Sequence, residues 1–406
     1  MNTEQTIRTF TEFFRDRGHQ LVRSSSLLPP PGDPVLFISA GMHPLTPYLT
    51  GQPHPLGRRL TGLQRCLRTT DLDEVGDNSH LTVFQMLGSW SLGDYDGPQS
   101  QRWGLELVCD GFGLSRELLY ATVFGGDGGS DRGERLRGRN DQLGPDTRAQ
   151  RTWTELGVPV ELLGPEDNWW SNGPTGPCGP DTELHVWTGD GPPSGSPSTD
   201  DGWLELWNHV TMRYQRHPDG GLTPLPRPSV DTGMGLERLL MVSQHTGSVY
   251  ETDLFEPWLS VLPSLGGPGP RSLRILADHL RSAIVVISDG VRPSTTGRGY
   301  VLRRLLRRAL IELWRGDGGN TLTLGELPPD VVLETAQPFG ISIDVSLVTE
   351  VLAAEERKFR DVVRRGRSLL PRLYPSGNLT EQDYAFLRET HGLPPELVSA
   401  LLEEAL

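Results

Sequence analysis

Lysine is almost missing from this chain. Of 38 lysines and arginines in 406 residues, Lys358 is the single lysine. Catalysis by a lysine amine is therefore close to excluded, and nearly all positive charge is arginine. Cysteine is scarce too. Cys66, Cys109 and Cys178 are odd in number, far apart and form no C-x-x-C pair, which excludes a disulfide framework. No run of about 18 apolar residues occurs, and the first ten residues hold no apolar leader segment. A soluble, cytoplasmic chain without membrane contact is expected. The 52 acidic residues leave a net charge of −14. That argues against a dedicated nucleic-acid coat or a polybasic membrane binder, but not against a local basic patch. What is present suffices for a core: 35% apolar residues with ten tryptophans. The length suggests roughly two to three domains.

The stretch 229–240, S-V-D-T-G-M-G-L-E-R-L-L, organises the rest. A β-type run meets Gly233 and Gly235 and turns into an apolar helix pattern. The two glycines let backbone or ligand approach without a Cβ in the way. Glu237 suits a helix N-terminus, whereas Arg238 opposes the dipole there. An arginine so placed suggests an anionic partner such as a phosphate. A tight strand-to-helix join with an ordinary ion pair explains the same letters.

Along the chain, helical spacing predicts a helix over 3–18 with Thr3 as its cap. Strand-like runs follow at 19–28, 35–38, 59–68 and 80–91, then a helix over 98–111 and a strand over 118–124. Residues 125–146 are rich in Gly, Arg and Asp and read as a mobile surface excursion. A short helix is predicted over 148–156. Residues 165–180, dense in Gly and Pro, read as a stiff loop carrying Trp169, Trp170 and Asn172. Strands are expected at 182–187 and 204–215, joined by a low-complexity hairpin. From about residue 252 the pattern is helical: 272–289, 299–314, 330–335, 346–370 with Ser346 as cap, 383–387 and 396–406. The expectation is an α+β fold: a mixed domain over 1–255 and an all-helical domain over 256–406. No internal repeat is present.

These residues resemble the alanyl-tRNA synthetases, a class II synthetase family. The segments that carry the resemblance are S-S-S-L-L-P with D-P-V-L-F-I-S-A-G-M (24–42), Q-R-C-L-R (64–68) and M-L-G-S-W-S-L-G-D-Y (86–95). They continue with D-N-W-W-S-N-G-P-T-G-P-C-G-P (167–180), L-W-N-H-V (206–210) and S-V-D-T-G-M-G-L-E-R-L (229–239). The second half matches through A-D-H-L-R-S (277–282), D-G-V-R-P-S (289–294) and R-G-Y-V-L-R-R-L-L-R-R-A (298–309). The resemblance implies a central antiparallel sheet with flanking helices, then a helical tRNA-recognition domain. It implies ATP-dependent activation of alanine, or a similar small amino acid, and transfer to a tRNA 3′ end. Such chemistry asks for positioning and charge stabilisation. Arg68 resembles the arginine that holds the α-phosphate and the amino-acid carboxylate. Arg238 resembles the one near the γ-phosphate and the adenine face. Phe84, Met86 and Gly235 join them as the ATP site, and Mg²⁺ would bridge the phosphates. The amino-acid pocket carries over as Trp170, Asn208, Val210, Asp231 and Gly233, with Asp231 facing the ammonium. Trp170 and Val210 would limit the side-chain pocket to about a methyl group, although core packing explains both as well. No zinc site is expected.

Four departures qualify the resemblance. The segment R-T-T-D-L-D-E-V-G (68–76) lacks several residues of the family's loop, including its lysine and histidine. The family's asparagine before R-G-Y-V-L-R-R is Gly297, and an aspartate further on is Glu389. The family's glutamate in F-F-E-M-L-G-N is Gln85. The sequence ends at Leu406, without the family's editing and dimerising parts. An alanine pocket alone discriminates glycine and serine by only about 10- to 200-fold, so a specialised paralogue is expected.

The second half adds a basic helix. Arg303 and Arg307, and Arg304 and Arg308, stand at i, i+4; Leu302, Leu305, Leu306 and Ala309 make its apolar stripe. With Arg292, Arg298 and Glu389 they form the expected contact with a tRNA acceptor stem. A solvated face paired with carboxylates fits the same pattern. Three functions stay open: charging of tRNA, transfer of the activated amino acid to a carrier protein or metabolite, and non-catalytic binding of tRNA or amino acid.

Overall fold

The computed structural model describes residues 1–33, 35–126, 143–262, 269–316 and 323–403. They form two compact units. One comprises Met1–Ser25, Ile38–Cys66 and Phe84–Thr246; the other comprises Ser26–Phe37, Leu67–Val83 and Gly247–Leu406. Two N-terminal segments thus fold with the helical half, which no composition boundary announces.

The first unit is built on a sheet. α1 (Thr3–Arg15) is capped by Asn2, not Thr3: the Asn2 side chain accepts the Gln5 N–H at 2.8 Å and the Gln5 side chain accepts the Asn2 N–H at 3.1 Å. β1 (Gln20–Val22), α2 (Thr46–Leu49), β2 (Arg59–Leu67), β3 (Val83–Ser91) and α3 (Gly97–Glu106) follow. Then come β4 (Leu119–Phe124), α4 (Thr147–Glu155), β5 (Val160–Leu163), β6 (Trp169–Ser171), β7 (Gly176–Trp187), β8 (Trp203–Arg216) and β9 (Leu222–Gly235). β9 runs straight into α5 (Leu236–Ser243). The strand order is β1-β2-β3-β9-β8-β7-β4-β5, with β6 also on β7. β3, β9, β8, β7 and β4 pair antiparallel in turn, whereas β1 with β2 and β4 with β5 are parallel. The expected antiparallel sheet therefore carries parallel strands at its rims.

Of the strand expected over 19–28 only Gln20–Val22 is strand, and the helix expected over 98–111 is α-helical only to Glu106; two further elements differ in kind. Residues 35–38 form no strand: Val35 donates to the Asp33 side chain at 3.0 Å, and Phe37 and Ile38 are buried without joining a ladder. The predicted loop over 165–180 is half strand, since β6 pairs with β7 from Trp169 opposite Pro180 to Ser171 opposite Cys178. Pro180 has no N–H to give, and a register shift between Cys178 and Asp181 accommodates it against β8. Of the expected excursion over 125–146, residues 127–142 lie outside the described residues. Asp146, at its end, caps α4 by accepting the Ala149 N–H.

The second unit is helical: α6 (Glu256–Val261), α7 (Pro270–Ser288), α8 (Gly297–Gly316), α9 (Pro329–Ala336), α10 (Val345–Leu373), α11 (Glu381–His391) and α12 (Pro395–Leu402). α7 is buried without interruption from Ile275 to Ile287. α10 is capped by Asp344, which accepts the Leu347 N–H at 3.1 Å, not by Ser346. Among the described residues no helix is long and apolar enough to cross a membrane.

Candidate active site

Cross-strand register gathers the expected amino-acid residues on one face of the sheet. Residues directly opposite in an antiparallel pair point to the same side. Trp90 stands opposite Asp231, Asp231 opposite Val210, and Val210 opposite Asp181. The next row on the same face is Gly88, Gly233, Asn208 and Glu183. Met86 opposite Gly235 begins the row after that. Phe84 precedes Met86 by two and is likewise half-buried. Trp170 on β6 packs against a buried cluster that includes Met42, Trp90, Val210 and Met212. Val210 and Trp170 are thus core walls and pocket candidates at once.

Glycine lets large side chains lie flat on this face. A Cβ on Gly233 would lie 2.6 Å from the Met86 sulfur, and one on Gly88 would lie 2.2 Å from the Trp90 ring. Met86 and Trp90 therefore lie over the glycines, and the Met86 sulfur also accepts the Gly41 N–H at 3.1 Å.

Electrostatics mark this face. Asp231 is buried and accepts the Trp90 indole N–H at 2.7 Å. Burial pushes its carboxyl up to about 7, with Trp90 opposing. Asp181 is also pushed up to about 7 by burial, although Asn168 and Asn208 donate to it at 3.1 and 3.4 Å. Glu183 is held well above the ordinary carboxylate range by burial first, then by the charges of Glu205 and Asp181. The Asn208 Oδ1 is buried, and among the described residues no hydrogen-bond donor faces it. Arg238 opens α5 and donates to the Glu205 carboxylate at 2.9 Å and carbonyl at 3.0 Å. Glu237 beside it is buried and accepts the Gln85 N–H at 3.0 Å. The ion pair read as an alternative at Arg238 is present, with a quarter of the arginine side chain exposed. Among the described residues no group of three or more His, Cys, Asp or Glu is arranged to hold a metal.

The remaining candidates belong to the helical unit. Arg68 is half-buried, and its N–H donates to the Thr82 carbonyl at 3.0 Å. Arg303, Arg304, Arg307, Arg308, Arg388 and Glu389 line a cleft of about 320 Å³. Arg307 reaches Glu355 at 2.8 Å and Arg303 does so at 3.4 Å; Arg304 reaches Asp73 at 2.7 Å. Arg292 and Arg298 do not line the cleft. Arg292 donates to the Ile287 and Val291 carbonyls at the end of α7, and Arg298 to the Leu36 carbonyl.

A family model described as tRNA synthetases class II (A) matches residues 6–405. The alanine–tRNA ligase of Treponema pallidum is 39% identical over all of this chain and 69% of its own length. That of Treponema denticola is 42% identical over 74% of this chain and 51% of its own, and that of Rubrobacter xylanophilus is 37% identical over all of this chain and 47% of its own. The chain belongs to the class II tRNA synthetases, among the alanine–tRNA ligases. It spans from about half to some two thirds of the length of these curated relatives. A solved histidyl-tRNA synthetase of S. aureus aligns at 13% identity and a TM-score of 0.35, over 62% of this chain and 68% of its own.

The sequence alone did not bring Trp90, Asp181, Glu183 and Glu205 to the neighbourhood of Asp231 and Asn208. A signal existed in D-T-E-L-H (181–185). Asp181, Glu183 and His185 alternate within an apolar strand, which puts charge on one sheet face. Nothing in the letters shows that Trp90 stands opposite Asp231.

Proposed function

We propose that this synthetase activates alanine with ATP and passes the alanyl group to a tRNA 3′ end. An alanine carboxylate oxygen attacks the α-phosphorus, pyrophosphate leaves, and alanyl-adenylate forms. A tRNA terminal hydroxyl then attacks the carbonyl, and AMP leaves. The observation that carries the reading is the row Trp90–Asp231–Val210 beside Gly88–Gly233–Asn208. It supplies a buried carboxylate and the Asn208 acceptor, Oδ1, for an ammonium group. Val210 and Trp170, which pack in one cluster beside it, are assigned to the side-chain pocket, which they would limit to about a methyl group.

Asp231 is assigned to the ammonium, Arg238 to the terminal phosphates and adenine face, and Arg68 to the α-phosphate. Phe84, Met86 and Gly235 are assigned to the nucleotide. Arginine suits the phosphate roles because it stays charged in a cleft. Class II synthetases in general use ATP with Mg²⁺. Glu183 and Glu205 are the carboxylates that would hold that ion, Glu205 while also accepting from Arg238 at 2.9 Å. Magnesium keeps several waters and needs only one or two protein carboxylates, and it would neutralise phosphate charge. The cleft arginines with Glu389 are assigned to the acceptor stem.

ATP–pyrophosphate exchange across alanine, glycine and serine tests activation. Exchange strongest with alanine and detectable with the other two is expected; no exchange with any of them rejects the reading and leaves a binding role. A second acceptor, a carrier protein or metabolite, is favoured by Gly297, which offers no side chain at the start of α8. Alanine-dependent exchange without charging of total tRNA would select it.

A further inference from the structure

α7 buries charge along its middle turns. Asp278, His279, Arg281 and Ser282 are each at most 2% exposed. Three of them grip two consecutive residues of the hairpin 67–83. Asp278 accepts the Thr82 N–H at 2.8 Å with one carboxylate oxygen and the Thr82 hydroxyl at 2.5 Å with the other. Ser282 accepts the Val83 N–H at 3.1 Å. Arg281 donates to the Val83 carbonyl at 2.6 Å, its guanidinium lying over the Phe255 and Phe339 rings. His279, whose pKa burial pushes below the usual imidazole value against the pull of Asp278, gives Asp278 a third donor at 2.8 Å. Thr82 in turn accepts the Arg68 N–H at 3.0 Å. Asp278 is thus two hydrogen bonds from the backbone of Arg68.

We propose that Asp278 is a positioning residue for amino-acid activation: by fixing both polar groups of Thr82 it sets the neck of the hairpin and, through it, the backbone of Arg68. This rests on the assignment of Arg68 to the α-phosphate. A buried carboxylate is weak evidence for stability, because apolar replacements of buried ionic groups are often neutral or stabilising. α7 already buries Ile275, Leu276, Ala277, Leu280 and the apolar run Ala283–Ile287 to hold it in place. What the carboxylate adds is register: two acceptors at a fixed spacing that only one placement of Thr82 satisfies. Misplacing a reacting group by about 1 Å costs on the order of 100-fold in rate.

The test compares Asp278→Asn, Thr82→Val and Thr82→Ser in ATP–pyrophosphate exchange with alanine, alongside thermal melting. Asp278→Asn and Thr82→Val should lower kcat by about 10- to 100-fold while KM for alanine stays near wild type and the protein stays folded at the assay temperature, with the modest drop in melting temperature that a lost buried hydrogen bond brings. Thr82→Ser, which keeps the hydroxyl, should restore most of kcat. In an Arg68→Lys background Asp278→Asn should add little further loss, since both changes act through one group. Unchanged kcat in a folded Asp278→Asn and in Thr82→Val overturns the proposal, as does an equal loss in the Arg68→Lys background. If Asp278→Asn does not fold, Thr82→Val against Thr82→Ser decides. Full exchange by Arg68→Ala would instead overturn the Arg68 assignment, whatever Asp278 does.

Discussion

Trp90 donates its indole N–H to the Asp231 carboxylate at 2.7 Å from the directly opposite position on β3 and β9. Burial raises Asp231 to about 7, and this bond works against the rise. An ammonium substrate needs the ionised form, so kcat/KM for alanine should fall as pH drops below about 7 in the free enzyme. Trp90→Phe keeps the ring but loses the donor. It should move that acid limb to higher pH and raise KM for alanine by about tenfold at neutral pH, the loss of one charge-assisted hydrogen bond. A pH series of exchange kinetics reads both. An acid limb that stays in place would remove Asp231 from the pocket.

The same carboxylate affects folding. Its pKa is higher folded than unfolded, so the unfolded chain releases its proton first as pH rises from about 4 to about 7. The contribution of Asp231 to stability is therefore undiminished at low pH, falls through that window, and stays low above it. Asp231→Asn should stabilise the unliganded protein at pH 8 by about 1–3 kcal/mol; the shift corresponds to at most roughly 4 kcal/mol. It should also abolish alanine activation. Melting curves at pH 5 and 8 check the sign: a gain at pH 8 that shrinks at pH 5. Destabilisation at pH 8 would mean that Asp231 has a cationic partner in the folded chain.

Glycine at position 88 is required by the Trp90 ring, because an added Cβ would meet it at 2.2 and 2.5 Å. Gly88→Ala should cost roughly 1–3 kcal/mol through overpacking and, by displacing Trp90, should copy the KM defect of Trp90→Phe. Gly144→Ala, with nothing among the described residues within 4 Å of the added carbon, serves as the control. Denaturant melts and alanine KM on the pair suffice. A Gly88→Ala protein with wild-type KM would separate the Trp90 ring from alanine binding.

The strand-to-helix join at 229–240 was legible because period-two and helical patterns meet at two glycines. The segment 165–180 was not. Gly and Pro usually mark turns, yet a Cβ at Gly179 would lie 2.0 Å from the Thr211 carbonyl oxygen, so that glycine serves close approach of β7 to β8. Residues 35–38 have strand letters but lack a neighbouring strand, which is a long-range property. Trp170, Asn208, Val210, Asp231 and Gly233 were found by resemblance, and only register explains why they share a face. The arginine helix was read as one face, yet Arg303 and Arg307 turn to a buried glutamate on α10, a partner that lies 48 residues beyond Arg307.

The cleft arginines differ in what holds them, and that difference predicts how each responds to RNA. Arg304 reaches Asp73 at 2.7 Å, and Asp73 is 74% exposed; Arg308 lies 3.7 Å from the same carboxylate while donating to the Leu72 carbonyl. Exposed ion pairs are weak, about 0–1 kcal/mol, so a phosphate can take the place of Asp73 at little cost. Arg307 pairs instead with Glu355, 3% exposed, with its guanidinium 4.9 Å from the Phe359 ring centroid. Breaking a buried pair from one side costs about 3–5 kcal/mol. Asp73→Asn should therefore leave melting unchanged, tighten binding of total tRNA severalfold at low salt, and steepen the salt dependence by up to about 0.9 for each further phosphate neutralised. Glu355→Gln should lower stability by about 3–5 kcal/mol as a group left charged and unpaired in the interior, with no gain in RNA affinity. Filter binding across a salt series, beside melting, reads all of these. Equal affinity and slope for Asp73→Asn and wild type would mean that RNA does not use Arg304 and Arg308.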